Sequence, residues 1–242
     1  MTISGFLRLT IATLIGVAIL VSLGMWQLKR LEWKEGLIAR IEARTERGPV
    51  SLDRAIELAK MRKNPSYYRV RVAGRFHHKR ERYLYAFSLD GEPGWHVITP
   101  LETVDGHMVL VDRGFVPERL RDPSTRPEGQ VQEVVTVTGL LRTPEDPNIF
   151  IPDNDPDKNQ WFYRDLVTMT QSMFPGGTVQ VTPFFLEAEA SEVPGGWPKG
   201  GETRLTLVNN HLQYAFTWFG LAICLLAVYA VYVWGAYRGE KS

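Results

Sequence analysis

Two long uncharged stretches, one near each end of the chain, constrain the fold more than any other feature. Residues 9–26 and 214–237 carry no charged side chain, and each is long enough to cross a hydrocarbon layer about 30 Å thick. Lipid offers the backbone no hydrogen-bond partner, so such a segment satisfies its own amides by forming a helix. The sequence therefore predicts two transmembrane helices, at 7–27 and 211–237, flanking one extramembrane domain at 28–210.

The first apolar stretch leaves one alternative open, a cleaved signal peptide. Ser22-Leu23-Gly24 resembles the small-x-small cleavage site of such peptides. The apolar run, however, exceeds the core of about 7–15 residues that is typical of signal peptides. Tryptophans near the predicted boundaries favour retained anchors, because aromatic rings prefer the headgroup layer. These tryptophans are Trp26, Trp218 and Trp234.

The composition excludes several classes of function. A net charge of +1, from 28 basic and 27 acidic residues, gives no reason to expect a nucleic-acid partner. Cys224 is the only cysteine, so an intramolecular disulfide and a Cys-x-x-Cys site are both impossible. The common catalytic and phosphate-binding signatures are missing, so we expect neither an enzyme nor a nucleotide cofactor.

A run of alternating carboxylates resembles the beginning of a calcium-binding loop. The run begins at Asp153 and ends at Asp157. Lys158 replaces the glycine that the sharp turn of such a loop needs, and Arg164 replaces the bidentate glutamate. The run is therefore interpreted as a solvated loop, and no structural metal is expected.

Between the anchors the hydrophobic period changes from helical to alternating. Apolar residues at helical spacing predict that the first anchor continues to about residue 47 and that a short helix, capped by Ser51, covers 52–60. Alternation of period two and two Asp-Gly turns then predict an antiparallel sheet. Strands are predicted from 67 onward and at 82–88, 95–103, 108–116, 134–141, 179–187 and 203–208, with another helix at 163–174. The predicted fold class is an α+β membrane protein with a mainly antiparallel sheet.

His211 stands out among the five histidines because it lies within one helical turn of the second apolar run. Placing an ionisable residue inside a membrane costs free energy, so such a residue suggests a function. The alternative is that the His211 ring lies at the interface and is solvated by lipid headgroups and water. His96 is a weaker candidate.

A single loop joins the two anchors, so the end of the first and the start of the second must lie at the same membrane face. This places Trp26, Gln27 and Arg30 at the level of Asn210, His211, Gln213 and Tyr214. On the second helix His211, Tyr214 and Trp218 share one stripe.

These residues suggest an aromatic-walled slot for an amphiphilic ring cofactor. A neutral imidazole ligates haem iron, aromatic groups cover the macrocycle, and arginine pairs with propionates. The hypothesis is a slot that suits such a cofactor, with the imidazole of His211 and the guanidinium of Arg30 beside it. The alternative is helix packing alone, since small residues lie on one side of each anchor. These small residues are Ala12, Gly16, Gly24, Ala215 and Ala222.

Five separated blocks, spread over nearly the whole chain, occur in an order typical of one family. They are Leu23-Gly24-Met25-Trp26-Gln27-Leu28-Lys29-Arg30, Tyr68-Arg69-Val70-Arg71-Val72-Ala73-Gly74-Arg75-Phe76, Val111-Asp112-Arg113-Gly114-Phe115-Val116-Pro117, Asp153-Asn154 with Gln160-Trp161-Phe162, and Asn209-Asn210-His211-Leu212-Gln213-Tyr214-Ala215-Phe216-Thr217-Trp218. The chain resembles the surfeit-locus-one (SURF-type) family of cytochrome c oxidase assembly factors. Several blocks in the right order make this resemblance more specific than any single motif.

The resemblance implies an assembly factor for a haem-copper (aa3-type) cytochrome c oxidase. Such a factor assists haem a binding and insertion into the catalytic subunit, and the histidine that matches His211 has been proposed as the axial ligand. The implied partners are the oxidase catalytic subunit, membrane lipid and the haem a synthesis machinery. A cofactor-free membrane scaffold that stabilises an oxidase assembly intermediate remains the alternative function.

The side of the membrane is undecided by the residues themselves. Lys29, Arg30 and Lys34 follow the first anchor while only Arg8 precedes it, but long loops translocate largely regardless of charge. The resemblance implies a multi-pass protein of the bacterial inner (cell) membrane with a periplasmic central domain and both termini cytoplasmic. A short N-terminus without an Arg- and Ser-rich transit segment favours the bacterial source.

Asp112 and Arg113 are weak candidates for partner contact. The alternative for these two charges is an ion pair at a strand end, which is the commoner situation.

Overall fold

The protein consists of two units, seen in a computed structural model that describes residues 3–46, 48–61, 64–177, 179–201 and 209–239. One unit contains Met1–Arg40 and Thr206–Ser242, and the other contains Ile41–Leu205. We call the second unit the sheet domain. The predicted strand at 203–208 lies outside the described residues.

The described chain contains four α-helices and six β-strands. In chain order they are α1 (Ile3–Thr45), α2 (Leu52–Lys60), β1 (Arg69–Phe76), β2 (Arg82–Phe87), β3 (Pro93–Thr103), β4 (Met108–Pro117), β5 (Val135–Arg142), α3 (Leu166–Met173), β6 (Val181–Ala188) and α4 (His211–Gly239). Helices α1 and α4 are long and apolar enough to cross a membrane. The predicted fold class, a membrane protein with two long apolar helices flanking a sheet-rich domain, is confirmed.

Helices α1 and α4 pack closely and run in opposite directions. A Cβ atom on Gly24 would lie 2.6 Å from the ring of Phe219, and one on Gly16 would lie 3.0 Å from Leu225. The absence of side chains at these two glycines therefore allows the helices to approach, as predicted for a close helix contact. Ala215 and Ala222 are also buried, whereas Ala12 is exposed and lies away from the contact.

The sheet domain is built on one six-stranded sheet in the order β1-β5-β6-β4-β3-β2. All neighbouring pairs are antiparallel except β4 and β6, which are parallel. Strand β1 pairs along Arg69–Gly74 with β5 and then along Gly74–Phe76 with β3, which closes five of the strands into a ring. Gly74 sits at the change of partner, where a Cβ atom would collide with the backbone carbonyl of Glu102.

Strand β2 lies outside the ring, and its outer edge is also paired. The amide of Tyr85 donates to the carbonyl of Trp161 at 2.7 Å, and the amide of Trp161 donates to the carbonyl of Tyr83 at 3.0 Å. This covers part of an edge that would otherwise offer unpaired backbone groups to another chain.

The central strands are buried on both faces, because a helix covers each side. Val109 and Val111 of β4 belong to one apolar cluster with Leu52 and Ala55 of α2. Leu110, between them, belongs to a second cluster together with α3 and the fully buried ring of Trp161. Successive side chains of a strand point to opposite faces, so α2 and α3 lie on opposite sides of β4.

Candidate functional site

His211 is the first residue of α4, and its ring contacts α1. The side chain of Asn209 accepts a hydrogen bond from the His211 amide at 3.4 Å, and the amide of Tyr214 donates to Asn210 at 3.1 Å, which starts the helix. The ring atom Nδ1 of His211 lies 2.7 Å from Oε1 of Gln27, a residue that is 9% exposed. This contact is consistent with the prediction that the two residues lie at one level of the membrane.

The Gln27 contact favours one tautomer of His211. Oε1 of the Gln27 amide faces the ring and accepts a hydrogen bond from Nδ1, so in the neutral imidazole the lone pair lies on Nε2. Nε2 makes no hydrogen bond with any residue that the structure describes. Metal-binding histidines use the same arrangement, in which the nitrogen remote from the metal donates to an oxygen that orients the ring.

The other predicted cofactor residues are only partly gathered around His211. Tyr214 and Trp26 are 54% and 51% exposed. The Arg30 guanidinium lies 5.9 Å from the ring centre of Trp26, so these two predicted residues do meet. Trp218 holds its indole Nε1 buried without a hydrogen-bond partner among the described residues. Across the described chain no hydrogen bond or ring contact joins Tyr214, Trp218, Trp26 or Arg30 to His211.

A separate group of polar side chains is buried in the sheet domain around Asp112, which is 0% exposed. Its carboxylate accepts hydrogen bonds from Nδ1 of His96 at 2.8 Å and from Arg164 at 3.0 Å. Burial alone would raise the pKa of Asp112, but the charges and hydrogen bonds of His96 and Arg164 hold it well below its usual range. His96 is thus a packed histidine held by an ion pair, and burial of its ring is outweighed by Asp112, which raises its pKa.

The same group offers a possible set of metal ligands. His96, Asp112 and Glu187 each place one ligand atom within 4.8 Å of the others, and nitrogen with carboxylate oxygen suits a divalent cation. The guanidinium of Arg164, however, lies 3.0 Å from Asp112 and 3.9 Å from Glu187. Arg164 supplies the positive charge that these carboxylates need, so the cluster acts as an ion-pair network within the domain.

A second buried network centres on Glu81, which is 4% exposed. Its carboxylate pairs with the guanidinium groups of Arg126 and, at 3.2 Å, of Arg113, while His78 lies 3.6 Å away. Burial alone would raise the pKa of Glu81, but hydrogen bonds from His78 and Arg126 and the charges of both arginines lower it to about 2. Burial lowers the pKa of Arg113 to about 10.

Asp112 and Arg113, the weak candidates for partner contact, both lie inside the domain. They are 0% and 7% exposed, and each belongs to one of the two buried networks. This placement is consistent with the alternative interpretation, in which Asp112 and Arg113 form structural ion pairs. No pattern in the sequence reveals Glu81, Arg126 and Arg164 as buried, because charged residues are seldom buried and are expected at the surface.

The chain is similar to known proteins over most of its length. A model of the SURF1 family matches residues 14–223. Surfeit locus protein 1 of Mus musculus is 38% identical over 232 residues, which cover 89% of this chain and 71% of the relative. The Homo sapiens protein of the same name is 39% identical over 218 residues, covering 83% and 69%. The Takifugu rubripes protein is 38% identical, covering 89% of this chain and 90% of the relative. The chain therefore belongs to the SURF1 family.

Proposed function

We propose that this protein assists the assembly of a haem-copper cytochrome c oxidase by binding haem a and passing it to the catalytic subunit. The resemblance to oxidase assembly factors, including the blocks around Trp26 and His211, supports this role. The observation that carries the proposal is the hydrogen bond between His211 and Gln27, because it prepares Nε2 as an iron ligand. In this role the chain performs no catalytic step of its own. It lies in a bacterial inner membrane, with the central domain periplasmic and both termini cytoplasmic.

Each predicted residue has a part in this proposal. His211 offers Nε2 to the iron, and Gln27 holds the ring in the required tautomer. The buried indole N–H of Trp218 is available to an acceptor on the ring periphery, and Trp26 and Tyr214 offer aromatic surface. Arg30 carries the positive charge that a propionate needs. When bound, haem would supply an iron that accepts a nitrogen ligand, and Nε2 of His211 is a ligand of this kind.

The test is the absorption spectrum of the full-length protein purified from cells that make haem a. We expect a haem spectrum in the wild type and its loss in His211→Ala. Gln27→Leu should weaken haem retention without abolishing it, since it removes the orienting acceptor but not the ligand. His107→Ala is the matched control, because His107 lies on the sheet domain and pairs with the exposed carboxylate of Asp53. A spectrum that is unchanged in His211→Ala would remove this residue from haem binding.

The second candidate function is a cofactor-free scaffold that stabilises an oxidase assembly intermediate. One observation favours it: the close approach of Gly24 and Phe219 leaves no room for a macrocycle between the helices at that level. In this alternative the contact between His211 and Gln27 serves only to join the helices. Co-purification of the oxidase catalytic subunit with haem-free protein, unchanged in His211→Ala, would support the scaffold over the haem carrier.

A further inference from the structure

A pocket of about 350 Å³ opens in the sheet domain beside β1, β5 and the segment that follows β6. Ligand sites in proteins are typically concave, mostly apolar and of this size or larger. The apolar part of the wall includes Phe76, Val131, Val135, Val137 and Ala188. Arg69 and Arg113 are the cationic residues of the wall.

The two arginines differ in how well their charges are compensated. Arg69 makes two hydrogen bonds of 2.7 Å to Glu189, which also lines the pocket, so this pair is neutral. Arg113 forms an ion pair with Glu81, but Glu81 also forms an ion pair with Arg126. Two guanidinium groups thus share one carboxylate in a place where all three residues are buried. Among these three residues the positive charges outnumber the negative ones, and the exposed Asp122 acts on Arg126 only from further away. Burying an incompletely compensated charge is unfavourable without an anion.

The guanidinium of Arg113 is also positioned to receive an anion. It lies 4.8 Å from the ring centre of Phe76, which holds it against the apolar wall. Its two terminal nitrogens donate to Glu81 and, at 2.6 Å, to the carbonyl of Gly129. Its Nε–H group has no partner among the described residues, although arginine offers five donors in a rigid fork. Arg113 therefore brings to the pocket wall a charge that its network compensates only in part.

We propose that this pocket binds the carboxylate end of an apolar chain, with the carboxylate at Arg113 and the hydrocarbon against Phe76 and Val137. Two sources offer this chemistry: the C-terminus of a hydrophobic polypeptide and a free fatty acid. Glu192 also lines the pocket and is exposed, so it disfavours ligands that carry more than one negative charge. The site lies wholly within the sheet domain and does not depend on haem binding at His211.

The experiment measures binding of four probes to the full-length protein in lipid nanodiscs by calorimetry, with empty nanodiscs as the blank. The probes are the N-acetylated tripeptide Ile-Val-Phe with a free carboxylate, the same acetylated peptide as its C-terminal amide, hexanoate and hexanol. We expect at least one acid to bind at least tenfold more tightly than its neutral partner. Arg113→Gln should remove this preference.

A second pair of variants covers the case in which Arg113→Gln does not fold. Thr136→Trp places a large ring at an exposed position of the pocket wall and should weaken acid binding at least tenfold. Val104→Trp, on an exposed turn residue that does not line the pocket, should leave binding unchanged. Binding of the peptide acid alone identifies a polypeptide terminus, and binding of hexanoate alone identifies a fatty acid. Absence of binding by both acids, or equal binding of acids and neutral partners, overturns the proposal.

Discussion

Single buried residues carry much of the stability of the sheet domain, and Asp112 is the clearest case. Its carboxylate holds His96 from β3 and Arg164 from the segment before α3. Replacing Asp112 by alanine leaves both partners buried without their anion, so we expect a loss of about 3–5 kcal/mol in the free energy of unfolding. Denaturant titration of the full-length protein in detergent measures this loss. The exposed Asp53, which pairs with His107, is the control, and Asp53→Ala should cost at most about 1 kcal/mol.

Glu81 makes the stability of the domain depend on pH. Its pKa falls from 4.5 to about 2 on folding, so the unfolded chain binds a proton more readily than the folded chain. The contribution of Glu81 is therefore complete above the unfolded pKa and is lost as the pH falls towards about 2, a difference of about 3 kcal/mol. Unfolding curves measured between about pH 6 and pH 2 should show this decline.

The matched variants for the pH measurement are Glu81→Gln and Glu102→Gln. Glu81→Gln should lower stability at neutral pH and flatten the decline in acid, because the titrating group is gone. Glu102 is exposed and faces His77, so its replacement should leave the curve close to that of the wild type. An equally steep decline in Glu81→Gln would assign the pH dependence to other groups.

At the scale of single residues, buried charges such as Asp112 and Glu81 are predicted least well from the sequence. His211 and Gln27 could be placed at one level, because a single loop must return to the same membrane face. Arg164 could not be identified as a partner of Asp112, because it lies 52 residues further along the chain, outside the strands, and leaves no local pattern. The alternation that begins at residue 67 does not show where the first strand ends; β1 ends at Phe76 and a 3-10 turn begins at His78. The ring of His78 is drawn inward by a 2.7 Å hydrogen bond to Val131.

At the scale of elements, β4 depends on a close contact with the segment at Lys199. The amide and carbonyl of Phe115 both bond to Lys199, at 2.9 and 3.0 Å. Gly114 has a φ of +110°, and a Cβ atom there would collide with the Lys199 carbonyl. Gly114→Ala should therefore destabilise the domain by more than the cost of φ strain alone, which is about 1–2 kcal/mol. Gly106→Ala is the control, because Gly106 also has positive φ, at +82°, but faces open space.

The contact between α1 and α4 gives a prediction for the helix pair. A Gly24→Leu side chain would meet the ring of Phe219 and should push the helices apart, whereas Gly220→Leu enters open space. The measurement is disulfide formation between cysteines at Gly16 and Leu225 in a Cys224→Ser background. We expect efficient cross-linking in the parent and in Gly220→Leu, and a clear reduction in Gly24→Leu. Equal cross-linking in both leucine variants would contradict the close contact at Gly24.

Most elements could be predicted from the sequence, because their signals are local. The Ser51 cap accepts a hydrogen bond from Arg54 at 3.2 Å, and both Asp-Gly turns join antiparallel neighbours with positive φ at Gly91 and Gly106. The parallel pairing of β4 with β6 and the closure of β1 onto β3 could not be predicted. Both join strands that are remote in the sequence, and alternation of period two is the same for parallel and antiparallel partners.

At the scale of the whole molecule, the proposed topology can be tested directly. In the proposed topology, the C-terminus and the sheet domain lie on opposite sides of the membrane. In a Cys224→Ser background, a cysteine at the exposed Val104 should react with an impermeant maleimide in intact bacterial cells. A cysteine added after Ser242 should react only after permeabilisation. The opposite labelling pattern would place the domain in the cytoplasm.

The order of strands in the sheet has a consequence for synthesis of the protein on the ribosome. Strand β6 lies between β4 and β5, so the ring of strands cannot close until the ribosome has released the chain through Ala188. Translation that stops after β5 would leave one long side of β4 and one of β5 with free backbone groups. Such fragments would be prone to aggregation and to proteolysis, so quality control can remove incomplete copies before they reach a partner.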